Sequence, residues 1–312
     1  MRINMHQKVI DKNLDEGFKE FITSCKVKNL SERTIEYYSD CFKEFKIYFS
    51  SKQLCDINST IFDGYILWLK DKGSLKDITI NTRIKGMRAI MYYFMRQNYL
   101  DEFSIRLIKA EKTIKETYTE NELNILLKKP NISTCLFSEY RNWVIINYLL
   151  STGNRLNSII NIKIKDIRFD SGYILIQKTK NKKQQMIPLS KTSEKLLMEY
   201  LNYRKGDGED YLFCNARGFK LTPDALKHSI ADYNTKRGIA KTSIHLFRHT
   251  FAKMWILAGG DMFRLQKILG HSTLDIVKEY VNMFADDLKR DFDKFSPLEQ
   301  LNTSNDHLKM KK

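Results

Sequence analysis

The sequence predicts a mainly α-helical protein of two domains, with a single small antiparallel β-sheet in the second. Three observations lead there. Apolar residues recur at helical spacing through most of the chain, and only the stretch 173–189 reads as strands. A polar, weakly periodic segment then separates two stretches that are each long enough to bury a core. The implied boundaries are a helical domain over 1–108, a linker over 109–118 and an α+β domain over 119–312.

Taken in order, Phe18, Phe21 and Ile22 form a first apolar stripe. Ile35, Tyr38, Phe42, Phe45 and Phe49 form a second, with Ser31 placed to cap its helix. Ile61, Tyr65, Trp68 and Leu69 mark a third helix that Gly73 can end, and Ile80, Ile84, Met87, Ile90, Met91 and Phe94 a fourth. The aromatic stripes read as core and not as platforms for stacked bases. Past the linker, Thr119-Glu120-Asn121-Glu122 has the capping-box pattern that opens a helix. Glu139 to Ser151 is apolar nearly all round, which predicts a central, buried helix. Tyr173–Gln177 and Gln185–Leu189 read as two strands joined by the polar loop 178–183, and the chain after Lys191 is again mostly helical.

Composition narrows the function. The chain is 42% hydrophobic and 29% charged, a globular balance. Its formal net charge of +16, from 53 Lys and Arg, creates a field suited to a polyanion such as DNA, RNA or an acidic membrane face. The 5 cysteines are widely spaced without a C-x-x-C pair, so neither a disulfide framework nor a zinc site is expected, and reduced thiols fit a cytoplasmic protein. The N-terminus lacks an apolar signal core, and the run Trp143–Leu150 is far short of a membrane span.

The chemistry lies in the second domain. In the helix Ile244–Leu257, Phe247, Phe251, Met254, Trp255 and Ala258 fall on one face and should be core. His245, Arg248 and His249 point elsewhere, and His245 and Arg248 are i, i+3 neighbours able to converge on one ligand. A short helix over Asp261–Leu269 should end at Gly270, leaving His271 in the turn before a helix that Ser272 caps and that carries Tyr280. These are the groups that metal-free cleavage of a phosphodiester requires. Guanidinium groups, always charged and bidentate, stabilise the added charge on the phosphorane best, and Arg155 and Arg248 are the candidates, backed by His245 and His271. A phenol with a pKa of about 10 can attack phosphorus and later leave. The departing 5′ hydroxyl needs a proton, which a lysine on the hairpin loop could supply. A metal route would need converging carboxylates. The densest acidic set, Asp286, Asp287, Asp291 and Asp293, reads instead as the solvated face of a terminal amphipathic helix, so no metal or cofactor is expected.

At these motifs the chain resembles the tyrosine recombinases, or phage integrase family. Thr152-Gly153-Asn154-Arg155 with Ile159-Ile160-Asn161-Ile162 is similar to the family's first arginine box, and His245-Leu246-Phe247-Arg248-His249-Thr250-Phe251-Ala252 to its second. Leu269-Gly270-His271-Ser272 with Tyr280 resembles the segment ending in the nucleophile. The likeness is strong over about Thr119–Phe295 and looser in the N-terminal helices, which look like the family's core-binding domain.

The resemblance implies that Tyr280 attacks the scissile phosphate to give a 3′-phosphotyrosine. Arg155 and Arg248 would clamp that phosphate, His271 would add a hydrogen bond, and His245 would take the phenol proton. Lys178, Lys180, Lys182 and Lys183 compete for the general-acid role. Counting back from Pro188-Leu189 favours Lys180, with Lys178 the alternative. Where the family has an acidic residue three places after the first arginine, Ser158 stands here, which leaves Arg155 less firmly oriented unless Asn154 or Asn157 takes the place of the carboxylate.

The implied function is site-specific recombination of double-stranded DNA by a homotetramer through a Holliday junction, with the terminal helix Asp286–Phe295 docking on a neighbouring subunit. The Lys178-Thr179-Lys180 segment is closer to mobile-element integrases than to chromosome-dimer resolvases. With the first domain starting near residue 1, little room is left for an arm-site domain. Two rival readings are a DNA-binding protein that no longer cuts and a type IB topoisomerase.

Overall fold

Side-chain caps set the helix starts in the N-terminal unit. Asn13 accepts from Asp15 N at the start of α1 (Leu14–Val27), Ser31 from Thr34 N at α2 (Glu32–Tyr48), and Asn58 from Ile61 N at α3 (Ser59–Asp71). A fourth helix, α4 (Asp77–Arg96), completes the helical set of this unit among the described residues. The structure, a computed structural model, describes residues 10, 12–51, 53–111, 116–177, 184–271, 273–274 and 292–300. The chain divides into two compact units, Met1–Thr113 and Ile114–Lys312.

The expected stripes do form the first core. Phe45, Tyr65, Leu69, Ile84, Met87, Ile90 and Phe94 are all fully buried, so these aromatics are packing groups. After α4 the chain runs without regular structure, but it is not loose where it meets that core. Asn81 brackets Ile108 with two hydrogen bonds, Oδ1 accepting from its N–H (3.0 Å) and Nδ2 donating to its carbonyl (2.9 Å).

In the second unit the capping box at Thr119 and Glu122 opens α5 (Glu120–Leu126) as the sequence predicts. α6 (Phe137–Thr152) is the buried central helix, and even its polar residues Arg141 and Asn142 lie inside. Arg141 donates to Cys214 O and Ser229 Oγ, both at 2.9 Å, and Asn142 Nδ2 donates to Ser229 O at 3.0 Å. This network ties α6 to α9 (Pro223–Thr235).

After the single turn α7 (Leu156–Ile159) comes an antiparallel sheet of order β1–β2–β3, with β1 Ile167–Arg168, β2 Tyr173–Ile176 and β3 Gln185–Pro188. Ile174 pairs with Ile187 and Ile176 with Gln185, so Ile174, Ile176 and Ile187 turn one face of the sheet to the core. The two-residue β1 is an addition to the expected pair of strands, being too short to show alternation. The helices α8 (Lys191–Arg204), α10 (His245–Leu257) and α11 (Met262–Leu269) follow in this unit among the described residues, with single turns at Phe292–Phe295 and Pro297–Gln300. Mainly α with a small antiparallel sheet is the fold class read from the sequence. No helix among the described residues is long and apolar enough to cross a membrane.

Several expectations about burial need correction. Helical spacing puts Met254 and Ala258 on the core face of α10, yet Met254 is 44% exposed and Ala258 is exposed as well. The same spacing puts Arg248 off that face, yet it is only 6% exposed. Helical periodicity gives the direction of a side chain, whereas burial depends on what packs there, and here the ends of α6 and α11 cover Arg248. Tyr118, read as linker, is also buried. Its N–H donates to Thr250 Oγ1 (2.9 Å), its hydroxyl to Lys241 O (3.2 Å), and its ring packs 4.5 Å from that of Phe247.

Candidate functional site

The site is built around the C-terminal end of α11. Gly270, at φ +62°, ends that helix in the left-handed conformation, and His271 N donates back to Gln266 O (3.1 Å) as a Schellman closure does. Gly270 N donates to Lys267 O (3.1 Å) in the same closure, and the carbonyls of Ile268 and Leu269 are left to outside donors. Leu269 O accepts from Arg155 Nη1 at 3.1 Å and from Arg248 Nη2 at 2.8 Å. One backbone oxygen thus holds both candidate guanidinium groups, in the negative field of the helix end.

Each arginine has a further anchor. Arg155 Nη1 also reaches Gly270 O at 3.5 Å, and Arg248 Nη1 donates to Gly153 O at 2.8 Å. Gly153 makes that approach possible. It ends α6 at φ +60°, and a Cβ there would stand 2.5 Å from Phe251 Cδ1 and 2.8 Å from Leu269 Cδ2. Arg248 Nη2 lies 2.6 Å from His271 Nε2. A guanidinium can only donate, so Nε2 accepts and the neutral ring carries its proton on Nδ1.

Arg155 takes no carboxylate from the position three residues on, where Ser158 is buried. The hydrogen bonds of the neighbouring asparagines go elsewhere, so of the two alternatives the substitution by asparagine is not met. Asn154 Nδ2 donates to Tyr148 OH (2.7 Å), and Asn157 serves through its own carbonyl, accepting from Asn161 Nδ2 (2.6 Å). Carbonyl oxygens on α11 do the orienting.

His245 opens α10. By surface area it is exposed, and neighbouring protein removes part of the water around its side chain. That partial desolvation holds its pKa below the ordinary 6.5, and the charges of Arg248, Lys227 and Arg155 push it the same way. The neutral imidazole, a proton acceptor, is therefore favoured. Of the six candidates, Arg155, Arg248 and His271 are brought together by hydrogen bonds, and His245 lies within their field. Lys180 and Tyr280 lie outside the described residues, as do Lys178, Lys182, Lys183, Ser272, Asp286, Asp287 and Asp291. Motif reasoning misses Gln185, whose side-chain amide also meets α11. Its position on the inward face of β3 is the available signal.

The comparisons agree with this architecture. The model described as "Phage integrase family" matches residues 116–286, and "Phage integrase SAM-like domain" matches 13–114. Tyrosine recombinase XerA of Pyrococcus furiosus is 30% identical over 92% of this chain and 96% of its own. Tyrosine recombinase XerC of Leptospira interrogans is 27% identical over 91% and 94%. A structure of the Tn1549 transposon integrase in complex with a circular intermediate DNA has a TM-score of 0.72 at 18% identity, covering 90% of this chain and 99% of that one. The chain belongs to the phage integrase family, the tyrosine recombinases, and is a two-domain site-specific DNA recombinase.

Proposed function

We propose that this enzyme cleaves double-stranded DNA by attack of Tyr280 and rejoins it without metal. The Tyr280 oxygen bonds to phosphorus while the bond from phosphorus to the 5′ oxygen breaks. His245 takes the phenol proton and Lys180 gives one to the leaving oxygen, so charge and protons balance. The product is a 3′-phosphotyrosine, which the 5′ hydroxyl of another strand reverses. Arg155 and Arg248 clamp the nonbridging oxygens, and His271 steadies Arg248.

The observation that carries this reading is the shared carbonyl of Leu269, which gathers arginines from distant parts of the chain into one cationic cradle. Such donors supply the largest catalytic contribution when negative charge develops on phosphate oxygens. Trapping on a nicked target site tests it: wild-type protein becomes covalently joined to DNA, and Tyr280→Phe does not. An adduct with Tyr280→Phe overturns the choice of nucleophile. A 5′-bridging sulfur, whose thiolate leaves without a proton, restores Lys180→Ala if Lys180 is the acid. Chelator leaves cleavage unchanged.

The reaction proposed at the level of the cell is integration and excision of a mobile element by a tetramer on two duplexes, with residues 286–295 docking on a neighbouring subunit. A second reading, resolution of chromosome dimers, is favoured by the Xer recombinases that match this chain over nearly their whole length. Sequencing the DNA joined to Tyr280 separates them. Element ends support the first reading and a single chromosomal site the second.

A further inference from the structure

Gln185 stands at the start of β3, immediately after the loop that carries the candidate lysines. Strand alternation puts it on the same face as the buried Ile187, a place that ordinarily takes an apolar side chain. It is polar because of what it meets. Its Nε2 donates to Lys267 O and to Ile268 O, each at 2.6 Å. Its Oε1 lies so close to Gly270 that a Cβ added there would stand 2.9 Å away. The end of α11 is therefore shared between two sets of donors. Gln185 occupies Lys267 O and Ile268 O, and the arginines occupy Leu269 O.

We infer that Gln185 is a positioning residue for the reaction, holding the arginine clamp in register by occupying the neighbouring carbonyls. The physical reason is competition. A helix end leaves its last carbonyls without intrahelical partners, and such oxygens attract cations. Without the amide, Ile268 O becomes an open acceptor beside Leu269 O, and Lys267 O keeps only the N–H of Gly270 at 3.1 Å. Either guanidinium can then shift along the helix end and turn from the phosphate. The helix end also loses its tie to β3. The inference rests on the reading that Arg155 and Arg248 clamp the scissile phosphate.

The test is single-turnover cleavage of a nicked target site by the full-length protein, with DNA affinity and melting temperature measured alongside. Gln185→Met, which keeps the bulk and loses the donors, lowers the cleavage rate on the order of 10- to 100-fold, the scale of a small misplacement of a catalytic group. Affinity remains that of wild type, and the melting temperature falls by only a few degrees, too little to unfold the protein at the assay temperature. Gln185→Glu, which replaces the donors with another acceptor, loses at least as much. On a methylphosphonate at the scissile position, which has less charge to clamp, the deficit of Gln185→Met shrinks to a few-fold. On a 5′-bridging sulfur substrate it persists.

An unchanged rate in either variant overturns the inference, as does a deficit explained by lost affinity or stability. A deficit equally large on methylphosphonate overturns it too. One that vanishes on the sulfur substrate places the action on the lysine instead. Arg155→Ala and Arg248→Ala are the reference. If they cleave normally, the clamp reading itself fails. If they fail to cleave while Gln185→Met is normal, only the role of Gln185 is lost.

Discussion

Leu269 contributes an atom that no side-chain motif announces. Its carbonyl accepts from Arg155 and Arg248 together, in a chain where Ser158 stands at the position of the expected carboxylate. A backbone oxygen keeps its partial charge at every pH, so the hold on the arginines does not titrate. His245 does titrate. Its pKa lies below 6.5, so it is neutral at pH 7 and charges only as the pH falls through the lowered value. Cleavage under single-turnover conditions should therefore be level near neutrality and decline on an acid limb with a midpoint below 6.5. His245→Gln should lose that limb and run roughly 10²- to 10⁴-fold slower. For stability the sign is the same: the folded state binds this proton less readily than the unfolded chain, so the contribution is complete above 6.5 and is lost as pH drops through the folded value.

Helix ends, more than helix faces, decide the site at the scale of elements. α6 and α11 both terminate in left-handed glycines, Gly153 and Gly270, and each presents a carbonyl at that terminus to Arg248 or Arg155. Gly153→Ala is expected to destabilise the protein by about 1–3 kcal/mol, through both the positive φ and the contacts with Phe251 and Leu269. Calorimetric melting checks this, and cleavage should fall further than stability because Gly153 O shifts away from Arg248.

α10 is held from its other side by Tyr118, on Phe247 and Thr250. Tyr118→Phe removes a buried hydroxyl that donates to Lys241 O and accepts from Asn234 Nδ2, and should cost about 1–2 kcal/mol in urea unfolding. The burial of Tyr118 is hidden from sequence reading because one aromatic in a polar stretch has no periodicity to place it. The buried Arg141 on α6 is hidden for the opposite reason. An arginine reads as a surface residue, and only the fold shows its partners Cys214 and Ser229.

Across the whole molecule the charge of +16 is the dominant long-range feature. A polyanion partner releases its condensed counterions on binding, so affinity for DNA should fall by roughly 10³- to 10⁵-fold between 50 and 200 mM salt if 6–10 phosphates are contacted. A titration series in salt measures this, and a flat response would show that the basic surface is not the DNA-binding one.

The helices, their caps, the central buried α6 and the hairpin strands are legible in the order of residues, because each arises from local periodicity and turn chemistry. The candidates Arg155, His245, Arg248 and His271 can be picked out as well, since those rare types stand in short, specific motifs. What only the tertiary structure decided is how they meet. The shared Leu269 carbonyl, the seat of Gln185 on the end of α11 and the burial of Arg248 depend on helix ends brought together by two glycines. Backbone oxygens are identical in every residue, so their use as ligands leaves no mark on the sequence and emerges only when the chain has packed.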